Sequence, residues 1–194
     1  MYKVIYVLFM PVFRLLYRVR ITGRENVPEA AAVVCANHTS MLDPIFLCIA
    51  FGLKTNWSFM AKAELMKIPV LGSFLRALGV IGVNRGATDI STLRNAIASL
   101  NEGKKLMIFP EGTRVHGEAD VSGAKNGAAM IACRAKTDMI PVYVKSPRHL
   151  FGKGEVIVGK PITPEAEGTG AAKYKAVVEK VFGEILSLGN GGEK

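Results

Sequence analysis

Seven short β-type runs, at 19–22, 32–36, 57–60, 80–83, 106–109, 140–144 and 156–158, alternate with segments of helical periodicity in this chain of 194 residues. Several are apolar at successive positions rather than at every second one, so both faces of the sheet they form must be covered. Such an alternation predicts a single α/β domain, a mostly parallel or mixed sheet of about seven strands with helices on both faces. The strand order stays open.

Helices are expected from Ser40 or Met41 to Ala50, stopping at Gly52, and from Thr88 or Asp89 to Asn101, stopping at Gly103. A third covers 124–135. The clearest lies near the C-terminus, where Tyr174, Val177, Val178, Val181, Phe182, Ile185 and Leu186 recur at intervals of three and four. One apolar stripe of this kind is a core-facing surface.

Charge narrows the choice of partner. Lys and Arg number 25 against 16 Asp and Glu, a formal charge of +9, while 49% of residues are hydrophobic and the mean hydropathy is +0.26. A cationic excess favours an anionic partner, and one so apolar points to a membrane surface rather than to nucleic acid. Val4 to Phe13 carry no charge, with Lys3 before them and Arg14, Arg18 and Arg20 after. A bilayer span needs about 20 apolar residues, so this run is too short to cross, and the arginine-rich segment after it has no small-residue cleavage site of a signal peptide. That leaves a helix buried in the core or one lying in the membrane interface; residues 1–18 are expected to form the interfacial helix, kinked at Pro11, with 19–194 as the main domain. Cys35, Cys48 and Cys133 lie in apolar stretches without CxxC spacing, as buried reduced thiols do.

Two segments carry chemistry. Asn37-His38-Thr39-Ser40-Met41-Leu42-Asp43 follows an apolar run and holds an imidazole five residues ahead of a carboxylate. His38 is expected at the C-terminal end of a strand, where open α/β sheets bind ligands. Asp43 can reach back to one ring nitrogen, fix the tautomer and leave the other nitrogen as a base. Pro44 starts the helix near this point; Asp43 as an ordinary N-cap, or Ser40 in that role, is the simpler structural reading. In the second segment, Phe109-Pro110-Glu111-Gly112-Thr113-Arg114, a strand stops at the proline and a tight turn follows, with Gly112 free to take a positive φ. Glu111 and Arg114 either brace the turn as an ion pair or face a ligand, Arg114 toward a phosphate and Glu111 toward hydroxyls. Arg85, after the run at 80–83, adds a second guanidinium if it lies at the same sheet end, and Lys62 and Lys125 add positive field or are solvated surface residues. His116 and His149 lack a carboxylate at useful spacing. No metal-ligand spacing and no Walker-type or GxGxxG loop occurs, so neither a metal nor a nucleotide is expected.

These blocks together resemble the glycerolipid acyltransferase family, in particular bacterial 1-acylglycerol-3-phosphate acyltransferases. That family carries His-x4-Asp, a Gly…Arg segment, Phe-Pro-Glu-Gly-Thr-Arg and an Ile-Pro strand in this order. Here they read His38 to Asp43, Gly79 to Arg85, Phe109 to Arg114 and Ile140 to Val144. Met60 to Leu65 and Ile68 to Gly72 also look like the family, so the likeness covers roughly 19–160. It implies His38 as general base, Asp43 as its orienting partner, and Arg85, Glu111 and Arg114 as acceptor ligands; Gly112, Lys62 and Lys125 are counted with them as candidate substrate-binding residues from their place in the sequence. Three places depart from the pattern: Gly82-Val83-Asn84 before Arg85, the thinned basic segment Ala124-Lys125-Asn126-Gly127, and Val115-His116 after Arg114.

The expectation is a membrane-bound enzyme without a cofactor that moves a fatty acyl chain from acyl-CoA or acyl carrier protein to the sn-2 hydroxyl of 1-acylglycerol 3-phosphate. It would work as a peripheral or monotopic protein on the cytoplasmic face of the cell membrane. A different acceptor (glycerol 3-phosphate or a lyso-aminolipid), a lysolipid hydrolase and a non-catalytic lipid-binding protein are the rival readings.

Overall fold

A computed structural model describes residues 2–84, 90–115, 120–147, 149–165 and 171–191. Its centre is a seven-stranded sheet: β1 (Arg18–Thr22), β2 (Ala32–Ala36), β3 (Trp57–Lys62), β4 (Ile81–Val83), β5 (Lys105–Ile108), β6 (Asp138–Lys145) and β7 (Lys153–Val158). Their spatial order is β1-β7-β6-β2-β5-β3-β4. Every neighbouring pair is parallel except β6 and β7, so β7 and β1 run opposite to the other five. The sheet is mixed, and each predicted β-type run lies on one of its strands.

The described residues form six helices, of which all but α3 pack on its faces: α1 (Tyr2–Leu16), α2 (Asp43–Phe51), α3 (Leu71–Ala77), α4 (Ile90–Asn101), α5 (Gly127–Ala135) and α6 (Ala172–Gly191). Alternate residues of β2 feed two separate cores. Ala32, Val34 and Ala36 join α1 and α2 on one face, whereas Val33 and Cys35 join α4, α5 and α6 on the other. All five are buried, as a central strand with parallel neighbours on both sides requires. On α6 the expected stripe is the packed face, with Val178, Val181, Phe182 and Ile185 wholly buried. The 3-10 turn at Ala63–Lys67 and α3 were not foreseen; they fill the connection between β3 and β4. The predicted N-cap at Thr88 or Asp89 lies outside the described residues.

α2 has an unusual composition for a surface helix, Asp-Pro-Ile-Phe-Leu-Cys-Ile-Ala-Phe, and from Phe46 onward every residue is buried. A helix apolar all round must be covered all round, and α1 contributes part of that cover. Tyr6 and Met10 of α1 are buried in the same core as Phe46 and Leu47, and Tyr17 meets the Phe46 ring edge-on at 5.7 Å. The C-terminal carbonyls of α2 are closed by Arg24, whose Nε donates to the Ala50 oxygen at 2.7 Å and Nη2 to the Ile49 oxygen at 2.9 Å. A guanidinium there also opposes the negative end of the helix dipole.

The opposite side of α1 is also apolar and is uncovered. Val4, Val7, Leu8, Phe9, Val12 and Leu15 are all at least half exposed, up to 78% at Leu15. α1 remains one helix through Pro11. Among the described residues no helix is long and apolar enough to cross a membrane.

Phe182 is the largest aromatic side chain closed into the α6 face. Phe182→Ala is expected to lower unfolding free energy by about 3–5 kcal/mol, read as a drop in the urea midpoint at unchanged slope.

Candidate active site

Three adjacent parallel strands, β6, β2 and β5, end side by side, and the residues just beyond them converge. His38 follows β2, Glu111 follows β5 and Ser146 follows β6. Asn37 locks the first of these crossings: its Nδ2 donates to the Val144 oxygen at 2.9 Å and its Oδ1 accepts from the Val144 N–H at 2.7 Å. A buried amide thereby replaces the ladder bonds where β2 leaves the sheet.

The chain turns sharply after His38 and enters α2 at Asp43. That carboxylate is wholly buried. Its Oδ2 lies 2.9 Å from His38 Nδ1 and accepts from the N–H groups of Thr39 and Ser40, both at 2.8 Å. Its Oδ1 accepts from the Ser146 hydroxyl. Asp43 therefore bonds backward to the turn that precedes it, and neither simple capping reading holds. Leu42 is the helix N-cap, and Ser40 Oγ accepts from the Leu42 N–H at 3.1 Å.

Because an ionised carboxylate only accepts, Nδ1 of His38 carries the proton in this contact. The basic nitrogen is then Nε2. The imidazole is held flat on Phe109, with ring centroids 4.0 Å apart and planes 19° apart, and its side chain is 18% exposed. The His38 carbonyl also accepts from the Val115 N–H at 2.8 Å. Ring orientation and tautomer are fixed from three sides while one edge stays reachable.

Glu111 holds the backbone beneath this ring. Its Oε2 accepts the His38 N–H at 2.7 Å, and its Oε1 is buried without a hydrogen-bond partner. Desolvation pushes the carboxyl above the usual range and the Asp43 charge adds to it, while the His38 N–H and imidazole pull the other way. Of the two readings of this turn, the brace between Glu111 and Arg114 is not formed: Arg114 is exposed, and neither Glu111 oxygen bonds to it. Gly112 adopts φ 71°, and a Cβ there would lie 2.8 Å from the Nζ of Lys125. Lys125 is thus brought over the turn, with its own N–H on the Pro110 oxygen at 2.9 Å.

The remaining candidates lie farther out or outside view. Lys62 is at the end of β3, largely exposed, and pairs with Glu64 at 3.2 Å. Arg85 and His116 lie outside the described residues. His149 is exposed, with Nδ1 3.0 Å from the Leu150 oxygen. Among the described residues no group of three or more His, Cys, Asp or Glu is placed to hold a metal ion. Cys35 and Cys48 are buried, and burial pushes both thiols up to about 12. Neither offers a thiolate at neutral pH.

Ser146 and Asn37 escaped the sequence reading. Ser146 is 103 residues from the carboxylate it serves. The only hint was a small polar residue directly after the Ile-Pro strand, which does not point to a partner. Its hydroxyl bonds the carboxylate rather than the imidazole, so this is not the hydroxyl–imidazole–carboxylate relay of a serine hydrolase.

An imidazole at the end of a parallel strand is thus backed by a buried Asp and flanked by a Pro-Glu-Gly turn. The Acyltransferase family model matches residues 18–145, and the chain belongs to that family. The 1-acyl-sn-glycerol-3-phosphate acyltransferase of Bacillus subtilis is 31% identical over 150 residues, 74% of this chain and 73% of that protein. The Borreliella burgdorferi protein of the same name is 31% identical over 139 residues, 70% of this chain. The match spans only 54% of that relative's length. Among solved structures, the Thermotoga maritima 1-acyl-sn-glycerophosphate acyltransferase PlsC superposes with a TM-score of 0.74 at 28% identity, over 100% of this chain and 80% of that one.

Ser146→Ala leaves one oxygen of a wholly buried carboxylate without its donor. It is expected to cost about 1–3 kcal/mol in a denaturant titration, and Ser146→Thr, which keeps the hydroxyl, should recover much of this. Glu111 gives a pH signature. Its raised pKa means that the folded state retains a proton which the unfolded chain, with a carboxyl near pH 4.3, has already lost. Stability from this group is full below that pH and falls as pH rises through the folded value. The Tm of Glu111→Gln relative to the parent should therefore rise between about pH 4 and pH 7; a flat difference contradicts the assignment.

Proposed function

We propose that this protein transfers a fatty acyl chain from a thioester to the sn-2 hydroxyl of 1-acylglycerol 3-phosphate, giving phosphatidic acid. The observation that carries this reading is the His38–Asp43 pair in the acyltransferase frame, with Nδ1 tied to the carboxylate at 2.9 Å and Nε2 left as the base. His38 takes the proton of the acceptor hydroxyl as its oxygen attacks the thioester carbonyl. Collapse of the tetrahedral intermediate breaks the carbon–sulfur bond, and the imidazolium returns the proton to the departing thiolate. Asp43 stabilises the imidazolium between these two transfers. Transfer is direct, since the buried thiols of Cys35 and Cys48 are poor nucleophiles and Ser146 bonds to Asp43.

Arg114, exposed beside the Glu111 turn, is suited to the acceptor phosphate, with Lys125 close by over Gly112. Glu111 has one unpartnered oxygen for a substrate hydroxyl, while the other supports the His38 backbone. The acyl donor is acyl-CoA or acyl carrier protein. The exposed apolar side of α1 docks the enzyme on the cytoplasmic leaflet of the membrane, bringing both lipid substrates to the strand ends.

The test is an assay with labelled acyl thioester, vesicles and a panel of lysolipids. His38→Ala should reduce kcat by about 100-fold or more with the fold retained, read as an unchanged circular dichroism spectrum. Arg114→Ala should chiefly raise KM for the phosphorylated acceptor, and an unchanged KM would remove its phosphate role. Thiol release without acylated product would favour a hydrolase instead, and acylation indifferent to His38 would overturn the mechanism.

A further inference from the structure

A groove enclosing about 410 Å³ lies between the C-terminal end of α1, β1 and α2. Apolar Tyr17, Val19, Ile21 and Ile49 line it together with Arg14, Arg18 and Arg24. The three guanidiniums are not equivalent. Arg24 is bound to the last carbonyls of α2. Arg14 has one long contact, 3.5 Å to the Tyr6 hydroxyl, and Arg18 has no side-chain partner among the described residues. Two cationic forks therefore stand beside a greasy channel, and no acid of the described residues neutralises them.

The topology gives this groove a direction. Because β1 and β7 run opposite to the other strands, the start of β1 lies at the sheet end where β2, β5 and β6 finish. Arg18 thus flanks the end that holds His38, three strands away, about 14 Å at normal strand spacing. The neighbouring surface is apolar. Leu15 is 78% exposed, and Leu150 and Phe151 are more than half exposed in a turn whose Phe151 N–H bonds the last carbonyl of α1, Leu16, at 2.9 Å. Phe151 holds φ 60°, a left-handed conformation that is unfavourable for an aromatic residue.

We propose that this groove binds an anionic phospholipid of the bilayer, distinct from the acceptor and donor. Its phosphate is held by Arg14 and Arg18, and part of an acyl chain lies over Tyr17, Ile21 and Ile49. The chemistry is that of an amphiphile: guanidinium forks match phosphate oxygens, and a soluble phosphate would have no use for the apolar lining. Bound there, the lipid fixes the rotation of α1 on the membrane and turns the catalytic strand ends toward it. The assignment rests on docking of α1 at a bilayer.

The test is co-sedimentation of the full chain with vesicles of phosphatidylcholine alone and of phosphatidylcholine with phosphatidylglycerol. The parent should gain affinity on the anionic vesicles. The double variant Arg14→Lys/Arg18→Lys keeps the charge but loses the planar forks, and should bind anionic vesicles about tenfold more weakly while matching the parent on neutral ones. Val19→Trp, in the groove lining, should do the same without touching charge, and the lysine variant decides if this one misfolds. Equal binding by parent and lysine variant would reduce the effect to diffuse attraction and overturn the site. Loss of the gain in the presence of millimolar glycerophosphate, at ionic strength matched with chloride, would make it a site for soluble phosphate and overturn the lipid assignment. Failure of the parent to bind neutral vesicles would strike only at α1 docking.

Discussion

A single buried carboxylate organises this protein. Asp43 has no contact with water, and an ionised group in that position is tolerable only when its lone pairs are met. Four donors meet them: the His38 ring, two backbone N–H groups of the turn, and a hydroxyl from a distant strand end. Each requirement has a structural consequence. The turn must fold back on the start of α2, β6 must end beside β2, and the imidazole must present one particular nitrogen outward. The stability of the site and its chemistry have the same origin.

The rest of the architecture serves that turn. Asn37 clamps β2 to β6 so that Ser146 arrives in place, and Glu111 reaches from β5 to hold the His38 N–H from the other side. Parallel strands make this convergence possible, since their C-terminal ends share one edge. Glu111 is held there against a desolvation cost, with one oxygen unmatched. A buried acceptor left unmet beside the His38 turn is what makes this strand end the candidate site.

α1 has a double character that its sequence states without resolving. Tyr2, Tyr6, Met10 and Phe13 lie along one side and pack on the core, while Val4, Val7, Leu8, Val12 and Leu15 lie along another and face outward. A helix apolar on both sides can join a domain to a second apolar medium, here through the cover that α2 needs in any case. The reversal of β7 and β1 then brings the end of this helix to the same edge of the sheet as His38.

Local chemistry was legible in the residues themselves. The α/β class follows from uninterrupted apolar runs, the packed face of α6 from its three-and-four spacing, and the approach of His38 to Asp43 from a separation short enough for one turn to close. Phe109 to Arg114 could be read as strand, stop and turn for the same reason, although the side chains' partners could not. Glu111 was expected to face Arg114 or a ligand, and instead one of its oxygens bonds a backbone N–H 73 residues away. Ser146, Asn37 and the strand order share this feature. Backbone ladder bonds are the same for every residue type, and contacts at large separation are set by which strand ends meet. The sequence by itself determined the strands, the helices other than α3 and the residues capable of acid–base work. Only the tertiary structure decided which of them meet, because burial of one charge had to be satisfied by groups brought together from two strand ends about a hundred residues apart in the chain.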